Sequence, residues 1–132
     1  MKISCNKNTL LEGINIVQRA VLPKSTMPIL EGILLEASDN LKLIGNDLEL
    51  GIECNVSALI ENKGSVVLNA KIFGEIIRKL PDDTVYIQVL DNYKTNIKCG
   101  NTEFNIMGID PMEFPELPKV QKESTLVITQ KD

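Results

Sequence analysis

The chain has 132 residues, 43% hydrophobic and 24% charged, the balance of an ordinary globular domain with enough apolar side chains for one core. Fourteen Lys and Arg against 18 Asp and Glu leave a net charge of -4, which argues against a generally basic nucleic-acid binder but leaves room for a local cationic face. Histidine is absent, so Ser-His-Asp and Cys-His nucleophilic sites and His-ligated zinc are excluded within the chain.

Cys5, Cys54 and Cys99 are odd in number and widely spaced, without a CxxC pair, so neither a disulfide framework nor a thiolate metal knuckle is expected. The opening MKISCNKNTL lacks the apolar core of a signal peptide, and no stretch approaches the roughly 18 apolar residues of a membrane span. These features predict a soluble, cytoplasmic chain with reduced thiols.

In chain order, residues 2–5 predict a short strand. Asn8 then offers an N-cap for a helix to about Val21, with Leu10, Ile14, Val17 and Val21 on one face and Pro23 as its stop. A loop carrying Lys24 and Pro28 leads to a strand over Ile29–Ala37, which turns at Asp39-Asn40 into Leu41–Gly45. A turn at Gly45-Asn46-Asp47 leads into Leu48–Val56. The order then recurs. Ser65–Leu68 reads as a strand, Asn69 as an N-cap, and Ala70–Leu80 as a helix with Ile72, Phe73, Ile76, Ile77 and Leu80 apolar. After Pro81-Asp82-Asp83 come strands over Val85–Leu90, Tyr93–Cys99 and Thr102–Met107, with turns at Asp91-Asn92 and Gly100-Asn101.

Both halves therefore share a β-α-β-β-β order with corresponding turns, offset by 52 and about 55 residues, which predicts an internal duplication. The expected fold class is α+β, with two helices on one face of antiparallel sheets. The units cover about 1–57 and 64–108, followed by a Pro-rich connector to residue 118. Ser124–Thr129 reads as a further strand, so residues 119–132 are expected to be a linker and the first strand of a truncated second domain.

The only two arginines, Arg19 and Arg78, fall late in the two predicted helices, opposite the apolar stripes, and Lys71 shares the stripe of Arg78. Residues 6–24 carry Lys7, Arg19 and Lys24 against Glu12, and residues 70–80 carry Lys71, Arg78 and Lys79 against Glu75. Each segment is +2, while the remainder carries -8. Solvated helix faces explain such charges, and so does a weakly positive surface for a polyanion that reads phosphate and not sequence.

Tyr86 and Tyr93 read as packing residues in strands, and with only 4% aromatics no stacking platform for bases is evident. No Walker A or GxGxxG loop occurs. Asp47, Glu49 and Glu53 alternate along one predicted strand, where a carboxylate metal site is conceivable but an acidic outer face explains the same spacing. Cys54 and Cys99 read as small buried hydrophobes.

The opening MKISCNKNTLLEGINIVQRAV, the segment Met27-Pro28-Ile29-Leu30-Glu31-Gly32-Ile33 and the turn Gly45-Asn46-Asp47-Leu48-Glu49-Leu50 form an ordered set with three later motifs. These are Asn69-Ala70-Lys71-Ile72-Phe73, Ile76-Ile77-Arg78-Lys79-Leu80 and the connector Phe114-Pro115-Glu116-Leu117-Pro118. In this order and spacing they resemble the first domain of the bacterial DNA polymerase III beta subunit, the replicative sliding clamp, over nearly the whole chain. The resemblance implies the DNA-clamp fold and a non-catalytic processivity factor without cofactor or metal. It implies a head-to-tail homodimer of three-domain protomers that rings double-stranded DNA, with helices inside and sheets outside.

The resemblance also implies Lys24, Arg19, Lys71, Arg78 and Lys79 as DNA-facing cations, and Phe104, Ile106, Ile72 and Ile76 as the ring-closing seam. Glu12, and Asn101 with Glu103, stand where some relatives are basic. The polymerase III catalytic subunit and the clamp loader are expected to bind later domains that this sequence does not contain. The remaining readings are a non-catalytic α+β protein-interaction module and, behind it, an enzyme built on Asp47, Glu49 and Glu53.

Overall fold

The computed structural model describes residues 1–22 and 27–115. Lys24 and the predicted strand at 124–129 lie outside the described residues. Nine strands form among the described residues: β1 Lys2–Asn6, β2 Gly32–Ala37, β3 Leu41–Asn46, β4 Gly51–Val56, β5 Leu59–Asn62, β6 Gly64–Asn69, β7 Thr84–Val89, β8 Lys94–Cys99 and β9 Thr102–Met107. The helices are α1, Lys7–Val17, and α2, Ala70–Lys79, with a 3-10 turn at Gln18–Ala20 extending the first.

Two antiparallel sheets result, one in the order β5-β1-β7-β8-β9 and the other β4-β3-β2-β6. Each is a meander from one half completed by the first strand of the other half. β1 pairs with β7 through Ile3 and Ile87, and β6 pairs with β2 through Val67 and Leu34. Each helix therefore follows a strand of one sheet and precedes a strand of the other. One core joins all the layers. Leu10, Ile14 and Val17 of α1 meet Phe73, Ile76 and Ile77 of α2, together with Ile3, Ile87 and Ile97 of one sheet and Ile33, Leu35, Leu43 and Leu68 of the other.

Several boundaries differ from expectation for identifiable reasons. Asn6, not Asn8, caps α1, its side-chain oxygen accepting from Thr9 N at 3.1 Å, while Asn8 donates to Asp82 at 2.9 Å. Ile29 to Glu31 are not strand. Pro28 opens a 3-10 turn, and Ile29 and Leu30 bury against Val67 on the outer face of the four-stranded sheet, where Phe114 of the connector also packs. The connector is tied there by reciprocal backbone bonds between Ile109 and Val67 at 3.1 and 2.8 Å. β4 starts at Gly51 and not at Leu48, because the Asp47 carboxylate accepts from the backbone of Glu49 and Leu50 and pulls residues 47–50 into a turn. β5 is absent from the expected elements: it is a mostly exposed strand of four residues with a register shift against β1, so no clean alternation marks it. Tyr86 projects from β7 at 52% exposure, and Tyr93 sits at positive φ in the turn before β8. Each matches half of its expected place: Tyr86 lies in a strand but does not pack inward, and Tyr93 packs against the core but from a turn.

Two glycines differ in the room around them. A Cβ on Gly45 in β3 would overlap the carbonyl oxygen of Val17, where the end of α1 crosses the sheet. On Gly74 in α2 it would meet Ile14 Cγ2 at 3.7 Å and the Arg78 guanidinium at 3.4 and 3.5 Å, a flexible end that can move aside. Gly74→Ala is therefore expected to stabilise by about 0.5–1 kcal/mol through helix propensity, and Gly45→Ala to destabilise by about 2 kcal/mol or more through overpacking. Urea unfolding of both variants checks the two signs.

Candidate nucleic-acid interface

The second helix is built to show cations on one side. Asn69 caps it by accepting from Ile72 N at 3.0 Å, and Ala70, Phe73, Gly74, Ile76 and Ile77 face inward. The 3.6-residue period then leaves Lys71, Glu75, Arg78 and Lys79 exposed. Arg78 and Lys79 occupy the last turn, where positive charge also favours the helix dipole. On the first helix Leu10, Gly13, Ile14 and Val17 bury, and Arg19 stands exposed on the 3-10 turn that follows.

The two helices pack against each other, and a groove of about 790 Å³ opens between the end of the first and the beginning of the second. Gln18, the neighbour of Arg19, lines it with Asn69, Lys71 and Arg78, while Glu31 and Glu75 line it as well. The groove itself is thus close to charge-balanced. The cationic surplus sits on the helix crests, at Arg19 and Lys79. Gln18 and Asn69 are additions to the residues expected from the sequence, where the only signal was their place beside Arg19 and at the helix cap.

The four apolar candidates divide by burial. β9 is the last strand of its sheet, so one row of its backbone groups has no strand partner among the described residues. Phe104 and Ile106 stand opposite Ile97 and Thr95, both fully buried, and so point to the core side. They remain half-buried because no further strand lies outside them among the described residues. Ile76 is a core residue at 8% exposure, whereas Ile72 is 48% exposed.

A family model for the DNA polymerase III beta subunit, N-terminal domain, matches residues 1–118. The chain belongs to the DNA polymerase III beta subunit family. Among curated relatives, the beta sliding clamp of Bacillus subtilis is 38% identical over 137 residues, covering 97% of this chain and 36% of the relative. That of Halalkalibacterium halodurans is 33% identical, covering 99% and 37%. Among solved structures, a putative beta subunit from Eubacterium rectale superposes with a TM-score of 0.87 at 47% identity over 89% of this chain and 33% of that one. The Bacillus subtilis sliding clamp gives 0.86 at 40% identity over 90% and 34%. The chain thus spans about a third of the length of these relatives, and its α+β fold of two helices and antiparallel sheets is that of sliding-clamp structures.

Two of the carboxylates singled out in the sequence of this beta-subunit chain have other partners. Asp47 serves its own turn, and Glu53 lies 3.3 Å from Lys42 Nζ in an ion pair that Lys42 shares with Glu36 at 3.9 Å. No group of metal-holding side chains occurs among the described residues. Among them too, no helix is long and apolar enough to cross a membrane.

All three thiols are buried. Burial pushes the Cys5 thiol from 9.0 up to about 12, and burial first, then the charge of Asp83, pushes Cys99 upward as well. Neither is a nucleophile at neutral pH. A thiol held protonated in the fold contributes its full stability below its unfolded value of 9.0 and loses it as pH rises toward about 12. Stability is therefore expected to fall across that window by up to about 1.4 kcal/mol per pH unit from Cys5, and Cys5→Ala to flatten the slope. Urea unfolding as a function of pH measures both.

Proposed function

We propose that this chain is the first domain of a ring-shaped processivity factor that encircles double-stranded DNA and slides on it through sequence-independent phosphate contacts. The observation that carries the reading is a paired-helix layer displaying Arg19, Lys71, Arg78 and Lys79 on a chain whose net charge is -4, in a fold belonging to the beta-subunit family. Residues 1–118 form the domain, and 119–132 lead into the next. Lys24, in the segment after the first helix, joins the DNA-facing set.

An encircled duplex is retained by topology, so the contacts can be weak, and weak phosphate contacts are what permits sliding. Glu31 and Glu75 beside Lys71 and Arg78 keep the surface from binding tightly. No reaction chemistry is needed, and the domain acts without catalysis, cofactor or metal, in the cytoplasm. Ring closure is by a homodimer in the full-length protein. Phe104, Ile106 and the exposed edge of Ile72 meet the third domain of the second protomer, with Ile76 supporting them from the core. The polymerase and the loader engage later domains.

In the full-length protein, Arg78→Ala with Lys79→Ala is expected to weaken DNA binding equally across sequences. The slope of log affinity against log salt should fall by about one for each phosphate that is no longer neutralised. An unchanged slope would remove the helix layer from the DNA face. For the seam, Ile72→Asp and Phe104→Asp are each expected to shift the sedimenting dimer toward monomer. Ile72, already exposed, separates loss of association from loss of folding, and a dimer of unchanged strength in both variants would exclude this seam.

A further inference from the structure

The outer face of the five-stranded sheet, away from the helices, carries a feature that the DNA reading does not use. Alternation along β1, β7, β8 and β9 turns Ile3, Cys5, Val85, Ile87, Ile97 and Cys99 to the core, and Lys2, Ser4, Tyr86, Gln88 and Lys98 to the other side. The registers set Leu59, Ser4, Tyr86 and Lys98 in one row across four strands, with Lys2, Gln88 and Asn96 in the next. Ser4 is small, so Leu59 and Tyr86 stand astride it, at 68% and 52% exposure. Beside them Lys2, Tyr86, Gln88, Asn96 and Lys98 line a depression of about 230 Å³, the size of one large side chain.

Charge sets this face apart. On β1, β7, β8 and β9 it carries Lys2, Lys94 and Lys98 against Glu103 alone, a surplus of +2 on a chain of net -4. None of these lysines is paired among the described residues, where Lys42 makes the ion pairs found. Glu103, which stands opposite Lys98, instead takes the side-chain amide of Asn96. An exposed aromatic and a leucine flanking a small residue, ringed by such lysines, match an apolar anchor carried among carboxylates. A single-stranded nucleic acid would want successive aromatic platforms, and this face has one.

The geometry points to this sheet face as a docking site for an acidic peptide segment of a partner protein, its apolar side chain seated between Leu59, Tyr86 and Ser4 and its carboxylates reaching Lys2 and Lys98. The test titrates the 15N-labelled chain with a short capped peptide of Glu residues around one Phe. The same peptide with Gln for every Glu, and oligothymidylate, serve as comparisons. The acidic peptide is expected to shift the amides of Lys2, Tyr86, Gln88 and Lys98. Its neutral counterpart, and Lys2→Glu with Lys98→Glu in the protein, should each weaken binding about tenfold or more, as like-charge contacts replace ion pairs. Because both lysines are solvent-facing, the rest of the spectrum reports an intact fold. Equal binding of the neutral peptide, shifts confined to the helix layer, tighter binding of oligothymidylate on these strands, or no shifts at the solubility limit of the acidic peptide would each overturn the proposal.

Discussion

Each half of the chain completes its sheet with a strand borrowed from the other half, and most of the molecule's geometry follows from that exchange. β1 pairs with β7 and β6 with β2, so a helix that follows either strand must travel from one sheet to the other. Two such crossings bring α1 and α2 side by side over a single core, with Gly74 and Ile14 at their contact. The apolar stripe of each helix is consumed by that core, and whatever is charged on the helices is left on one shared layer. The cationic crest is thus a by-product of how the sheets are closed, available without any dedicated loop or site.

The duplication was legible because its signals are local. Turn residues at matching offsets, two amphipathic helices and strong alternation in the second meander each leave a mark within a few residues. The family was legible because several short motifs recur in a fixed order. Illegible were features decided by contacts far along the chain. Ile29 and Leu30 look like strand residues by composition, yet Pro28 and the neighbourhood of Val67 and Phe114 make them a plug on the outer sheet face. Leu48 and Leu50 look like strand too, but carboxylate and amide side chains on the preceding residues capture their backbone first.

The candidate site was legible in its cations and less so in its balance. Counting Lys71, Arg78 and Lys79 against Glu75 established the sign of the helix. Only the fold brings Glu31, from a different segment, to the same groove and so lowers the local field. The residues proposed for the seam divide in the same way. Periodicity placed Ile72 at the margin of the stripe, while the half-burial of Phe104 and Ile106 reflects a place at the end of a strand order that no local pattern encodes.

The strand exchange also sets a timetable for synthesis. Ile3 finds its neighbour Ile87 only after more than eighty further residues have been made, and until β7 arrives the first strand has just the short, mostly exposed β5 to lean on. Long loops close slowly, and the five-stranded sheet cannot be finished until the second meander has left the ribosome, whereas the four-stranded sheet waits only for β6. The sheet that holds the first strand is therefore the last to close. A nascent chain stalled before the second meander would leave the β7-facing edge of β1 open, the condition in which chaperones and aggregation compete for it.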